Sequence, residues 1–320
     1  MSVEKESKIF IAGARGLVGS AIRRKLEACG YNNLVFPASK ELDLRDFGAV
    51  KSFFEKEKPE YVFLAAAKVG GIHANNTYPA DFIFDNLQIQ TNIIHLSWIN
   101  GVKKLLFLGS SCVYPRECKQ PIKEEYLLTG PLEKTNDAYA IAKITGIKMC
   151  ESYNRQHGTR FFALMPTNMY GINDNYHPEN SHVFPALIRK MHEAKEKGLS
   201  TIELWGSGKP KREFLCSDDL ASATLFTMNL PDDVLFKSGF PLINVGYGSD
   251  LTISELASTI AEVVGFKGKI TWNPAMPDGT PQKLLDSTLI HNLGWKHEIS
   301  LKDGIKLSYN DFLKSTAAYQ

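Results

Sequence analysis

Three glycines near the N-terminus constrain the fold of this chain more than any other feature. Gly13, Gly16 and Gly19 follow a short apolar stretch, Lys8–Ala12, and lead into a segment of helical periodicity, Leu17–Cys29. Glycine permits a tight turn after a strand, and the N-terminus of the following helix attracts a pyrophosphate. This order predicts the first βαβ unit of a dinucleotide-binding fold. The alternative is a glycine turn that binds nothing.

The rest of the first half alternates strand and helix patterns, which predicts parallel βαβ units and a doubly wound α/β sheet of the Rossmann type. We expect strands at 34–36, 61–66, 104–108 and 161–165, and helices at 47–56, 80–100 and 137–157. After about residue 170, loops rich in Asn, Asp, Pro and Gly interrupt the pattern. Residues 1–170 are therefore expected to form the dinucleotide-binding domain, to which segments near 214–245 return. Residues 171–320 should form a smaller, mixed α/β substrate-binding region.

Composition narrows the classes of function. The 320 residues include 37 basic and 35 acidic side chains, and this near balance indicates neither nucleic-acid binding nor binding to an anionic membrane. No apolar stretch approaches the length of a membrane span, and the polar first residues do not resemble a signal peptide. The five cysteines are scattered without metal-ligand spacing. We therefore expect free thiols, no metal site and a cytoplasmic location.

The charges near the glycine loop favour NADP(H) over NAD. The second predicted strand ends without the acidic residue that would bind the ribose hydroxyls of NAD. Arg15 lies inside the glycine loop, where its guanidinium could pair with a 2′-phosphate, and Ser39 and Lys40 could assist. The alternative is that Arg15 and Lys40 are solvated surface charges.

A second group of residues indicates reduction of a ketone. Ser110 follows an apolar strand, and Tyr139 and Lys143 are four residues apart on a predicted helix, so they share one face. A tyrosine beside an ammonium can donate a proton to a carbonyl that a serine hydroxyl orients. Lys143 is expected to lower the pKa of Tyr139. The alternative is a core tyrosine and a surface lysine that are four residues apart by chance.

Cys112 lies at the same strand end as Ser110, although reduction does not need a thiol. It is either a small buried hydrophobe or a sign of a second kind of chemistry. The residues alone leave both open.

Longer motifs carry a resemblance to one family. These are residues 65–72, 75–81, 108–115, 139–143, 165–171, 180–182, 205–208, 212–215 and 278–286. In them the chain closely resembles the 3,5-epimerase/4-reductases of GDP-4-keto-6-deoxy sugars, which belong to the extended short-chain dehydrogenase/reductase family. The resemblance covers nearly the whole chain.

This resemblance implies a bifunctional, NADPH-dependent enzyme that acts on GDP-4-keto-6-deoxy-D-mannose. The C4 ketone acidifies the protons on C3 and C5, so two epimerisations precede reduction at C4. The resemblance puts Cys112 and His182 in the acid/base roles, and thiol and imidazole can both exchange protons near neutral pH. Ser110, Tyr139 and Lys143 would then stabilise the enolate as well as serve reduction.

The resemblance also implies binding residues and a homodimer. The cofactor would contact Gly13, Arg15, Gly16, Leu17, Val18, Gly19, Ala66, Lys143, Pro166, Asn168 and His182. The nucleotide sugar would contact Lys190, Trp205, Arg212 and Lys283, because Lys or Arg can bind a diphosphate and Trp can pack on the ligand. Lys190 stands where some relatives have Arg, so it keeps the charge without the forked geometry. The helices at 80–100 and 137–157 are candidates for a four-helix dimer interface.

Three alternatives remain open. Nucleotide-sugar 4,6-dehydratases and 4-epimerases share the fold, but dehydratases carry an Asp-Glu pair where this chain has Ser111 and Cys112. A simple 4-reductase, or an epimerase/reductase that makes a different deoxy sugar, fits the same motifs. A noncatalytic NADP(H)-binding sensor would be expected to lose Tyr139 or Lys143, and both remain.

Overall fold

A six-stranded parallel sheet forms the centre of the computed structural model, which describes residues 3–178, 181–276 and 278–317. Its strands are β1 (Ile9–Ala12), β2 (Leu34–Val35), β3 (Tyr61–Leu64), β4 (Lys104–Leu108), β5 (Phe161–Pro166) and β10 (Leu242–Val245). Their spatial order is β10-β5-β4-β3-β1-β2. Every residue of β1, β3, β4 and β5 is buried, as expected for a parallel sheet covered on both faces.

Helices cover both faces of this sheet. The first core cluster contains residues of α1 (Leu17–Ala28) and α7 (Ser217–Asn229), whereas the second contains residues of α2 (Phe47–Glu57), α4 (Pro79–Ile99) and α5 (Asp137–His157). A short helix, α3 (Ile72–Thr77), and two 3-10 turns, Ser111–Val113 and Glu124–Tyr126, lie in the connections. The predicted doubly wound α/β fold is confirmed.

A third core cluster builds the region that follows β5. It contains residues of α6 (Val183–Glu196), α9 (Ile253–Val264) and α11 (Leu301–Ala317), which pack with small sheets. These sheets pair β6 (Asn168–Tyr170) with β9 (Phe214–Cys216), β7 (Thr201–Trp205) with β12 (Lys269–Asn273), and β8 (Lys211–Arg212) with β11 (Leu251–Thr252) and β13 (Gln282–Lys283). Two short helices, α8 (Asp232–Leu235) and α10 (Thr288–Asn292), complete the elements.

The chain order of the strands creates a crevice at the carboxyl ends of β1 and β3. From β1 the sheet continues to β2 on one side and to β3 on the other, so the connections after β1 and β3 diverge. Open α/β sheets bind ligands at such a switch point. The glycine loop, residues 13–16, and the loop after β3 meet there.

Most predicted boundaries agree with the structure to within one or two residues. The strand predicted at 61–66 ends at Leu64, because the chain leaves the sheet at the crevice. The sequence does not predict helix α3, since this short segment follows two glycines, contains two asparagines and lacks a helical apolar pattern. Within the described part of the chain, none of the helices combines the length and the apolar character needed to cross a membrane.

Candidate active site

One cleft of about 2100 Å³ lies between the carboxyl edge of the sheet and the region after β5. All the predicted site residues line it: Gly13, Arg15, Gly16, Leu17, Val18, Gly19, Ala66, Ser110, Cys112, Tyr139, Lys143, Pro166, Asn168, His182, Lys190, Trp205, Arg212 and Lys283. The structure therefore brings together residues that are spread over most of the chain.

The glycine loop fits a dinucleotide. Gly13 has a φ of +87°, and a Cβ there would lie 2.7 Å from the backbone nitrogen of Ala66. A Cβ on Gly19 would lie 2.0 Å from the Gly13 carbonyl oxygen, so the helix packs closely against the loop. Gly16 is the N-cap of α1 and offers no capping side chain, which leaves the first N–H groups of the helix for a ligand. This cradle suits a pyrophosphate.

The charged residues that line the cleft near the end of β2 suit the binding of a phosphorylated ribose. Arg15 and Lys40 are exposed on the cleft wall. The acids that follow β2 are occupied: Glu41 accepts a hydrogen bond from the Ala38 backbone at 2.6 Å, and Asp43 is paired with Arg45. No sequence pattern indicated that these two carboxylates would be engaged.

Lys143 is buried, only 3% exposed, with its ammonium directed at the end of β4. Its Nζ donates to the Leu108 carbonyl oxygen at 2.8 Å and lies 5.8 Å from the centroid of the Tyr139 ring. The alternative of a surface lysine is therefore wrong. Tyr139 is half-buried on the same helix face and packs edge to face against Phe82.

The expectation that Lys143 lowers the pKa of Tyr139 is wrong for this structure. Burial raises the pKa of Tyr139 above its ordinary range, the neighbouring Cys112 raises it further, and only a hydrogen bond with Ser110 lowers it. Burial also lowers the pKa of Lys143 to about 7. Desolvation disfavours both charged forms, and it outweighs the attraction expected between them.

Cys112 lies in a 3-10 turn after β4, and the residue as a whole is half-buried. Its backbone N–H donates to Ser110 Oγ at 3.3 Å. Asn136 Nδ2 donates to Cys112 Sγ at 3.3 Å, and Lys283 Nζ lies 3.6 Å from the same sulfur. Burial by itself would raise the pKa of Cys112, but the charge of Lys283 and the hydrogen bonds to the thiol outweigh it and lower the pKa. Lys283 thus contacts the thiol in the cleft where the resemblance also implies a contact with the substrate.

His182 is the N-cap residue of α6, directly before its first helical residue, Val183. Its side chain is accessible from the cleft and makes no capping hydrogen bond. The protein around it lowers the pKa of its imidazole by desolvation. A neutral imidazole facing the cleft can accept or donate a proton.

The remaining substrate candidates lie on the wall formed by the region after β5. Lys190 is exposed, and its Nζ donates to the Glu203 carbonyl oxygen at 2.5 Å. Trp205 is 68% exposed, which leaves its ring free to pack on a ligand. Arg212 is half-buried, donates to the Lys211 carbonyl oxygen at 2.7 Å, and has its pKa lowered by desolvation.

Sequence reasoning missed two residues that shape the site. Asn136, the partner of Cys112, is the N-cap of α5, and its polar side chain at a helix start was the available signal. Glu213 is fully buried, and its carboxylate accepts hydrogen bonds from the backbones of Gly248 and Leu285 at 2.7 and 3.1 Å. Its position between Arg212 and an apolar strand gave no sign of this role.

The cleft and the sheet together define an enzyme that binds a dinucleotide and carries a Ser-Tyr-Lys set at the carboxyl edge of a doubly wound sheet. Comparison with known proteins agrees with this class. The model of the "NAD dependent epimerase/dehydratase family" matches residues 9–246. The chain therefore belongs to the NAD dependent epimerase/dehydratase family.

Particular relatives in this family are similar over nearly the whole chain. The chain is 59% identical to a putative GDP-L-fucose synthase 2 of Arabidopsis thaliana, covering 98% of this chain and 94% of the relative. A solved GDP-6-OMe-4-keto-L-xylo-heptose reductase from C. jejuni is 43% identical with a TM-score of 0.92, covering 98% of this chain and all of that one. A GDP-L-fucose synthetase from Naegleria fowleri, solved bound to NADP, is 29% identical with a TM-score of 0.88, covering 99% and 97%.

Proposed function

We propose that this protein converts GDP-4-keto-6-deoxy-D-mannose to GDP-L-fucose with NADPH, by epimerisation at C3 and C5 and then reduction at C4. The observation that carries the proposal is that Cys112 lies beside Ser110 at the end of β4, in the same cleft that Tyr139 and Lys143 of α5 line. The high identity to a GDP-L-fucose synthase over nearly the full chain supports it.

Cys112 and His182 exchange protons with carbon in this proposal. The C4 ketone makes the neighbouring C–H groups acidic, and inversion needs one group to remove a proton and another to return one to the opposite face. The lowered pKa of Cys112 favours the basic thiolate, and the lowered pKa of His182 favours a neutral imidazole at physiological pH. The elements that carry them, the 3-10 turn after β4 and the start of α6, both border the cleft.

Ser110 and Tyr139 act on the C4 oxygen. Their hydroxyl groups donate hydrogen bonds to the oxygen as it becomes negative, first in the enolate and then during reduction. When bound, NADPH would supply the hydride to C4, and Tyr139 would give its proton to the oxygen. Lys143 is held by the Leu108 carbonyl, from where it would orient the nicotinamide ribose beside Tyr139.

Binding of NADP(H) is proposed on the glycine loop and on Arg15. The loop has the close backbone approach that a pyrophosphate requires. After β2, the Glu41 and Asp43 carboxylates are bound to other protein groups, so neither is available to bind the ribose hydroxyls of NAD. Ala66, Pro166 and Asn168 complete the cofactor wall in this proposal. Arg212, Trp205 and Lys190 line the opposite wall, where they would bind the GDP moiety.

The deciding experiment follows NADPH oxidation with GDP-4-keto-6-deoxymannose and identifies the product by NMR. The expected product is inverted at C3 and C5 and reduced at C4. Absence of oxidation would refute the proposal. A product reduced at C4 but unchanged at C3 and C5 would make the protein a simple 4-reductase, the activity that the reductase from C. jejuni makes the strongest alternative.

Two organisational proposals accompany this function. The dinucleotide domain comprises residues 1–170 with segments near 214–245, and the substrate-binding region comprises the rest of 171–320. The protein is proposed to be a homodimer through α4 and α5, because Phe84, Ile99 and Ile141 on these helices are 59%, 55% and 45% exposed. Light scattering on Ile141→Lys tests it: the variant should be monomeric, and a monomeric wild type would contradict the proposal.

A further inference from the structure

Two hydrogen-bond donors approach the sulfur of Cys112. Lys283 Nζ lies 3.6 Å from Sγ, and Asn136 Nδ2 donates to the same atom at 3.3 Å. A thiol is a weak acceptor, but a thiolate accepts strongly and is stabilised by a nearby ammonium. Lys283 and Cys112 are 171 residues apart in the chain, so only the fold produces this contact.

We propose that Lys283 is a positioning residue for the epimerisation, which holds Cys112 as a thiolate so that the sulfur begins the reaction as a base. The proposal rests on the proposed function, in which a C–H proton must be removed beside a ketone. The thiolate takes the proton and becomes a thiol, the electron pair of the C–H bond forms the enolate, and His182, after taking up a proton from solvent, returns it to the opposite face of the carbon. Cys112 then releases its proton to solvent, which restores the thiolate. The step therefore consumes no net proton and needs no oxidant or reductant.

The backbone on either side of Lys283 is held in place. In β13 Lys283 pairs with Arg212 of β8, and on its N-terminal side the Lys211 backbone N–H donates to the Pro281 carbonyl oxygen at 2.9 Å. The following residue, Leu284, donates its backbone N–H to Gln120 Oε1 at 2.8 Å, and Leu285 donates to the buried Glu213 carboxylate at 3.1 Å. The ammonium thus reaches the sulfur from a strand anchored on both sides, rather than from a mobile loop.

Other charged and titratable groups face the sulfur from neighbouring elements. Arg212 on β8 is the second cation near Cys112, but its Nη1 donates to the Lys211 carbonyl oxygen. Tyr139 on α5 is close enough for the sulfur to raise its pKa.

Lys143 on α5 is turned to the Leu108 carbonyl oxygen. Lys283 is therefore the cation best placed to stabilise the thiolate, with the Ser110 hydroxyl and Asn136 as neutral partners.

This arrangement gives Lys283 a role distinct from binding a diphosphate. A lysine that only binds phosphate affects the affinity for GDP and leaves the protonation of Cys112 unchanged. A lysine that holds the thiolate changes the pH at which Cys112 becomes reactive, with or without a nucleotide sugar. The two roles therefore give different results in the free enzyme.

The test measures the rate at which iodoacetamide alkylates Cys112, followed by peptide mass spectrometry, from pH 5.5 to 10. We expect Lys283→Met to slow the alkylation at pH 7 about tenfold, as for a thiol whose pKa rises by about one unit, with the rates converging at high pH. Lys283→Arg should keep most of the wild-type profile, because it restores a cation beside the sulfur. The matched control is Lys190→Met, which removes a cleft lysine bound to the Glu203 carbonyl and should leave the profile unchanged.

An unchanged alkylation profile in Lys283→Met overturns the proposal, as does a variant that loses only its affinity for GDP. If Lys283→Met does not fold, judged by NADPH binding and circular dichroism, Lys283→Gln serves in its place. Alkylation requires no sugar substrate, so its result is independent of the NADPH oxidation that tests the proposed function. In the epimerisation itself, Lys283→Met should slow deuterium exchange most below pH 7, where less thiolate remains.

Discussion

The backbone N–H of Cys112 donates to the hydroxyl oxygen of Ser110, so the residue proposed for proton exchange at carbon is tied to the residue that binds the ketone oxygen. The two lie in the same turn after β4. In the proposed function, a sugar whose C4 oxygen binds Ser110 has its neighbouring carbons close to Cys112. This arrangement would allow one cleft to serve epimerisation and reduction without release of the sugar.

Cys112→Ser and His182→Gln should impair deuterium exchange at C3 and C5 more than NADPH binding. Each variant removes a group proposed to transfer a proton to or from carbon, and such groups contribute roughly 10²–10⁴-fold to the rate. The measurement is NMR of the sugar in D₂O, beside fluorescence titration with NADPH. Cys118→Ser is the matched control, because Cys118 packs against the core and does not line the cleft. Tight NADPH binding with normal exchange would refute the assigned roles.

Lys143 should make the enzyme more stable as the pH rises above 7. Burial lowers its pKa from 10.5 to about 7, so between these values the unfolded chain binds a proton that the folded protein does not. The free energy of unfolding therefore rises with pH in this interval, by at most about 1.4 kcal/mol per pH unit from this group. Below pH 7 both states are protonated, and the contribution is constant.

Urea unfolding of wild type and Lys143→Met between pH 6 and 10 checks this effect. The free energy of unfolding of Lys143→Met should lack this rise with pH. The stability advantage of the variant over the wild type should therefore be largest at pH 6. A difference between the two proteins that does not change with pH would show that the buried ammonium keeps its ordinary pKa.

Gly19→Ala should mainly destabilise the folded protein, whereas Gly16→Ala should mainly weaken cofactor binding. A Cβ on Gly19 would lie 2.0 Å from the Gly13 carbonyl oxygen, and such a backbone clash should reduce the free energy of unfolding by about 2–4 kcal/mol. A Cβ on Gly16 lies at an ordinary 3.6 Å from the same oxygen, which predicts a stability loss below about 1 kcal/mol.

The same methyl group on Gly16 would stand at the N-terminus of α1, where the pyrophosphate is expected to bind. We therefore expect its dissociation constant for NADPH to rise at least about tenfold, or roughly 1.4 kcal/mol. Thermal unfolding without cofactor and NADPH titration separate the two effects. Equal NADPH affinity in Gly16→Ala and wild type would place the pyrophosphate elsewhere.

Glu213→Gln should destabilise the protein by about 2–3 kcal/mol, because one of two backbone N–H donors would then face an NH₂ group in a buried site. Urea unfolding measures the loss. The control is Glu196→Gln at an exposed position, which should change the free energy of unfolding by less than about 0.5 kcal/mol. Similar losses in both variants would argue against this role of Glu213.

The elements of the dinucleotide half were predictable because their signals are local. The glycine spacing at 13–19 and the helix face that carries Tyr139 and Lys143 each depend on a few consecutive residues. The site residues after β5 came from resemblance to a family rather than from periodicity. The pKa of Tyr139 was predicted in the wrong direction, because pairing of residues on a helix says nothing about how much water the fold removes from them.

By itself, the sequence determined the doubly wound sheet, the glycine loop at its edge and the presence of a Ser-Tyr-Lys set, since each depends on strand and helix periods within short segments. Only the tertiary structure decided that Lys283 meets Cys112, that Asn136 donates to the same sulfur, and that Glu213 anchors the neighbouring strand. These contacts join residues far apart in the chain. The strength of these contacts depends on how deeply the groups are buried and how far apart they lie, and both are defined only in the packed structure.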